Sequence, residues 1–238
     1  MREAIQVEFF QLFKILHIIG GFIALFVFWI PIVTKKGGKA HRVSGWVYTS
    51  GMIVVAISAF YMGAYRIFFD QNANAELISF SWFLIFIAIL SSAAAYYGIR
   101  VLRFKNRKDR HRNVLDLFYP LLLLSSGIGI CIYGTVNEAP LLTWFPLVGI
   151  FLGISQLSYW LQKPKHKMHW WFEHFSGMLA CCISTITAFM VFGAPRLLGI
   201  ESVSILLWFL PTIVITPIII GLSIYYRKKF KGLNNKAA

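Results

Sequence analysis

Residues 16–48 read LHIIGGFIALFVFWIPIVTKKGGKAHRVSGWVY. An apolar stretch runs to Val33, a short loop carries Lys35, Lys36 and Lys39, and a second apolar stretch opens behind His41 and Arg42. A helix rises about 1.5 Å per residue, so about 20 apolar residues cross a hydrocarbon core roughly 30 Å thick. The segment therefore reads as one membrane crossing, a basic turn and the start of the next crossing.

The pattern recurs along the chain. Seven apolar runs are long enough, near residues 12–33, 43–65, 78–101, 114–134, 142–162, 171–194 and 203–226. None alternates with period two, so helices are expected rather than barrel strands. Of the 238 residues 58% are hydrophobic and 13% charged, whereas a soluble domain carries roughly 25% charged residues. The fold class expected is all-α: one integral membrane bundle of seven transmembrane helices over residues 1–238, with no interdomain linker.

Charge orients the bundle. The net charge of +14 would suit a nucleic-acid binder, but 19 of the 23 Lys and Arg fall in alternate loops and the tail, at 34–42, 100–112, 163–167 and 227–236. The opposite side holds Arg2, Lys14, Arg66 and Arg196 with six of the nine acids. Basic loops stay cytoplasmic, so the N-terminus is expected outside and the C-terminus in the cytoplasm. The partner implied is a bilayer with anionic lipid at its cytoplasmic face, not nucleic acid, and a membrane-protein partner stays open. The opening MREAIQVEFF has two acids and no basic n-region, so the first helix is expected to insert as an uncleaved signal. Cys131, Cys181 and Cys182 all lie in apolar runs, and the last two are neighbours, which argues against disulfides.

Ionisable groups inside spans are costly and mark candidate sites. His17 lies 18 residues before Lys35, about 27 Å along a helix, which puts it near the outer surface as a ligand, a proton-handling group or an interfacial histidine. The inner mouth is richer. His41, His111, Asp116, His169, Glu173 and His174 all fall near the cytoplasmic ends of the second, fourth and sixth helices, in KAHRVSGWVY, RHRNVLDLFY and KMHWWFEHF. Imidazoles and carboxylates are ligands for Zn, Mn or non-haem Fe, and two imidazoles suit a haem b. The six are expected to converge as a metal site, with His41, His174 and Met178 as candidate haem or transition-metal ligands. In the competing reading Asp116 and Glu173 neutralise cytoplasmic cations and the histidines are solvated. His174, Met178, Cys181 and Thr185 share one stripe of the sixth helix, where Met and Cys are also ordinary packing residues.

Absences narrow the field. The last span has no lysine for a retinal Schiff base, and the chain has no phosphate loop, CxxC, HExxH or GxSxG motif. With His17 alone in the outer half, at most one bis-histidine haem of the usual type fits. Small residues at packing spacing, Gly20 with Ala24, Ala59 with Gly63 and Ser91 with Ala95, predict close helix contacts.

On His17, His41, Arg42, Gly45 and Tyr48 the chain resembles a family of bacterial multipass membrane proteins of unknown function, a likeness that extends to WFEHFSGMLACCISTITAFM at 171–190. The resemblance implies a place in the bacterial cytoplasmic (inner) membrane and leaves activity open. The leading expectation is a redox or proton-coupled site at the cytoplasmic mouth. The alternatives are a carrier of small solutes or lipids and a non-catalytic subunit of a larger membrane complex.

Overall fold

The computed structural model describes residues 2–200 and 204–236, with side chains from 6–200 and 204–230. It is helical with no strand among the described residues. Seven segments are long and apolar enough to cross a membrane: α1 (Gln6–Val33), α2 (Lys39–Phe68), α3 (Ala75–Phe104), α4 (Val114–Val136), α5 (Pro140–Leu161), α6 (His169–Leu198) and α7 (Ile205–Phe230). The seven expected runs are all present, mostly longer by a few residues because polar turns at their ends also take helical geometry. Asn74 starts α3 by accepting the Leu77 amide at 2.8 Å, and Asn113 starts α4 by accepting the Leu115 amide at 3.0 Å.

Four spans are interrupted, and α1 breaks at Phe28. The helix of α3 passes into a 3-10 turn at Val101–Phe104, α5 breaks at Phe145 just before Pro146, and α6 contains a π turn at Phe189–Gly193. Pro120 lies inside α4, and Pro211 and Pro217 inside α7. Glu138 at φ 51° and Gly199 at φ 68° turn the chain between spans.

The third span is the hub. It packs against α2, α4, α5 and α6, while α1 pairs with α2, α4 with α5, and α6 with α7. Of the seven spans α7 is the least buried and α3 the most. Its run from Ser91 to Gly98 explains the position, because Ala93, Ala94, Ala95 and Gly98 present almost no side chain and let neighbouring backbones approach. Lipid supplies no hydrophobic drive between helices, so such close contact carries much of the cohesion. A Cβ placed on Gly177 of α6 would lie 2.9 Å from Gly98 Cα. At the α1–α2 contact Gly20 faces Gly51, a partner absent from the small-residue pairs read in the sequence, with Ala24 beside it. An aromatic cluster of Phe83, Phe86, Phe145 and Trp208 closes the other end of the bundle. Phe26, Ile132, Phe151 and Ile213, by contrast, turn outward, as a lipid-facing surface requires.

Gly177→Ala should separate α3 from α6 and cost about 1–3 kcal/mol, the range for overpacking. Gly129, with nothing within 4 Å of its Cβ position, tolerates alanine. Thermal unfolding of the two detergent-purified variants should show a lowered midpoint for Gly177→Ala only.

Candidate functional site

The C-terminal end of α3 carries Tyr96, Tyr97, Gly98 and Arg100 and stands among the N-terminal ends of α2, α4 and α6. Two pairs of the six candidate residues meet, His111 with Asp116 and His41 with His174, and the others bond side chains of α3 or α5. Among the described residues no group of three or more His, Cys, Asp and Glu is placed to hold a metal ion. The expected convergence of His41, His111, Asp116, His169, Glu173 and His174 into a single ligand set is thus corrected to three separate corners. The physical reason is the interposed end of α3.

The first corner is an ion-pair network. Asp116 is fully buried and accepts from Arg100 Nε at 2.5 Å and Arg100 Nη2 at 2.9 Å, a bidentate pairing. Tyr96 donates to the same carboxylate at 3.0 Å and His111 Nε2 at 2.6 Å. The His111 ring is held between Phe104 and Trp160, with centroids 4.4 and 4.9 Å away, and its backbone amide donates to Trp160 O. Both carboxylate oxygens are engaged, so the neutralising role considered for Asp116 is what the geometry displays. The network pins α3, α4 and the end of α5 together.

The second corner joins α5 and α6. Glu173 accepts from the Tyr97 hydroxyl at 2.5 Å, and His169 shares a 2.8 Å hydrogen bond with the Tyr159 hydroxyl through Nδ1. The His169 Nε2 atom is buried without a partner. Arg107 lies over the Tyr159 ring at 4.4 Å and donates to the carbonyls of Tyr159 and Gln162 at 2.9 Å, satisfying groups that the end of α5 would otherwise leave free.

The third corner brings α2 to α6. His41 and His174 stand with ring centroids 6.3 Å apart and planes at 72°. His41 Nδ1 bonds Pro31 O at 3.0 Å, and His174 Nδ1 bonds Gly98 O at 2.6 Å. A carbonyl oxygen only accepts, so each Nδ1 carries a hydrogen, and in the neutral ring Nε2 then keeps the lone pair. Lys36 joins by donating to Pro31 O at 2.8 Å and to Ile32 O, and partial burial holds its ammonium below the ordinary lysine pKa. Met178 lies one turn along α6, where a Cβ on Gly98 would be 3.0 Å from its sulfur, so its thioether packs on the α3 backbone. Cys181 and Thr185 continue the stripe into the core, where Thr185 meets the Tyr48 hydroxyl at 3.0 Å. All three cysteines are free thiols.

His17 is remote from these corners, as its depth implied. Its Nδ1 lies 3.2 Å from Val55 O and 3.0 Å from Ser58 Oγ, which ties α1 to α2 in the other half of the bundle. Sequence reasoning missed Tyr97, Arg100, Arg107 and Lys36 as partners. The doublet Tyr96–Tyr97 ahead of Gly98 was the available signal, since two hydroxyls at a helix end are placed to bond whatever packs there.

The family described as "Predicted membrane protein (DUF2306)" matches residues 14–125, just under half of the chain. The match contains His17, His41, His111 and Asp116 and stops before Glu173 and His174. No curated protein and no solved structure matches the chain. The chain is accordingly similar to an uncharacterised membrane family, as the residues at 16–48 implied.

Asp116→Asn leaves Arg100 without its counter-charge and should cost about 3 kcal/mol, the lower range for breaking a buried pair. Tyr96→Phe removes one neutral donor and should cost about 1 kcal/mol. Denaturation of the two variants in one detergent should preserve that order.

Proposed function

We propose that this multipass protein of the bacterial cytoplasmic membrane holds one metal-centred cofactor between His41 and His174 and serves redox or proton-coupled work at the cytoplasmic face. The observation that carries the reading is the paired imidazoles, each with Nδ1–H committed to a carbonyl and Nε2 free. Two imidazoles with ring centroids 6.3 Å apart and uncommitted Nε2 atoms are the donors that would hold such a cofactor.

Between a bare ion and haem b, the donor set favours haem. Zinc and similar ions take three or four protein ligands, and among the described residues no third His, Cys, Asp or Glu completes such a group. A haem brings four nitrogens of its own and needs only axial ligands. When bound, the group supplies one-electron chemistry. The protein's part is to orient the rings, since the bonds to Pro31 O and Gly98 O fix each imidazole and raise its basicity. Met178, packed on Gly98, has no part in this pairing.

Absorption spectroscopy and metal analysis of the detergent-purified protein test the reading. A Soret band or stoichiometric metal is expected in the wild type and in His166→Ala and Met178→Leu. His41→Ala and His174→Ala should each lose it, and equal retention in all four variants would overturn the assignment. For orientation, a green fluorescent protein fused after Ala238 should fluoresce, because a cytoplasmic C-terminus lets it fold; a dark fusion at normal expression contradicts the topology.

A further inference from the structure

A cavity separate from the two histidines opens between α5, α6 and the end of α7, with a volume of about 490 Å³. Arg107, Lys163, Lys165 and Arg227 line it, against the single carboxylate of Glu173, whose Oε2 already accepts the Tyr97 hydroxyl. Lys163 also pairs with Asp109 at 3.2 Å, where both side chains are exposed and the pairing weak. The lining is therefore strongly cationic.

Two buried atoms on its wall lack partners. His169 is 8% exposed, lines the cavity, and its Nε2 bonds nothing. Arg107 directs its terminal nitrogens to the carbonyls that end α5, and its Nε–H is buried and unpaired. Unsatisfied buried polar groups are costly and call for a partner. The guanidinium is donor only, so its partner must accept. The α6 helix begins at His169, so the positive end of its peptide dipole opens toward the same cavity.

The opposite wall is apolar. Phe151 and Ile154 of α5 border the cavity and are 70% and 54% exposed on the surface that faces hydrocarbon. A ligand lodged here would meet cations at one end and lipid-facing side chains at the other. We infer that this cavity is a binding site for a phosphate-bearing anion, and that an anionic phospholipid of the cytoplasmic leaflet supplies it, headgroup among Arg107, Arg227 and Lys165 and acyl chain along Phe151 and Ile154. Phosphate presents acceptor oxygens to guanidinium and ammonium donors together, which matches the cationic lining and the unpaired Arg107 Nε–H.

Native mass spectrometry of the full-length detergent-purified protein, titrated with phosphatidylglycerol and phosphatidylcholine in turn, tests the site. One phosphatidylglycerol should remain bound at energies that strip phosphatidylcholine. The double variant Lys165→Gln/Arg227→Gln should bind it about tenfold more weakly or worse, whereas Arg66→Gln on the far side should bind as the wild type does. Thermal unfolding separates lost binding from lost folding, and single Lys165→Gln provides a milder variant should the double unfold. Inorganic phosphate is the third titrant. Phosphate that binds and displaces the lipid shows that the phosphate group alone is read, and phosphate that fails against a retained phosphatidylglycerol shows that the chain is needed as well. Equal retention of both lipids with no phosphate response, or unchanged binding in the folded double variant, overturns the proposal. None of these readouts depends on a chromophore at His41 and His174, so the two sites stand or fall separately.

Discussion

The inner end of α3 is where the bundle resolves a constraint set by the bilayer: a polar group withdrawn from water must find its partner within the protein. Tyr96 and Arg100 bond Asp116 of α4, Tyr97 bonds Glu173 of α6, and Gly98 offers its carbonyl to His174. Those four positions satisfy side chains from two neighbouring helices within little more than one turn. The same turn lacks bulk at Gly98, which admits Gly177 of α6 and brings the donors within reach. Packing and hydrogen bonding here are one arrangement, because the contact that excludes lipid also sets the polar distances.

That arrangement separates the polar corners. Glu173 and His174 are consecutive on α6 and so point about 100° apart. One faces Tyr97 and the basic cavity toward α5 and α7. The other faces Gly98 and, across the bundle, His41 of α2. A single helix end thereby faces two surroundings of different chemistry, one of imidazoles and one of cations. The Asp116 network stands apart from both and is saturated, and its role is to hold α4 and the Arg107 loop against α3 and α5.

Much of the bundle was legible in the chain. Apolar run length requires helices in lipid whatever the tertiary contacts, so all seven spans could be read directly, and polar turns such as those opened by Asn74 and Asn113 account for the longer observed ends. The pairing Gly20–Gly51 could not be read in full, since a small residue signals a close approach without saying which residue approaches. Arg107 likewise looked like one more cytoplasmic charge, and only its position over Tyr159 reveals that it caps the end of α5. The shared basic-histidine pattern of the even helices was visible, and their common neighbour α3 was not.

By itself the sequence determined the class of solvent, the number of crossings and the inventory of imidazoles and carboxylates at one end, because these follow from composition and from a rise per residue that does not depend on neighbours. The tertiary structure alone decided which of those groups meet. Contact across a bundle depends on how each helix is rotated about its axis and how closely it approaches, and both are set by where glycines and alanines let backbones touch. Placing α3 between the even helices pairs His41 with His174 and commits Asp116 to Arg100, an outcome that no spacing along the chain encodes.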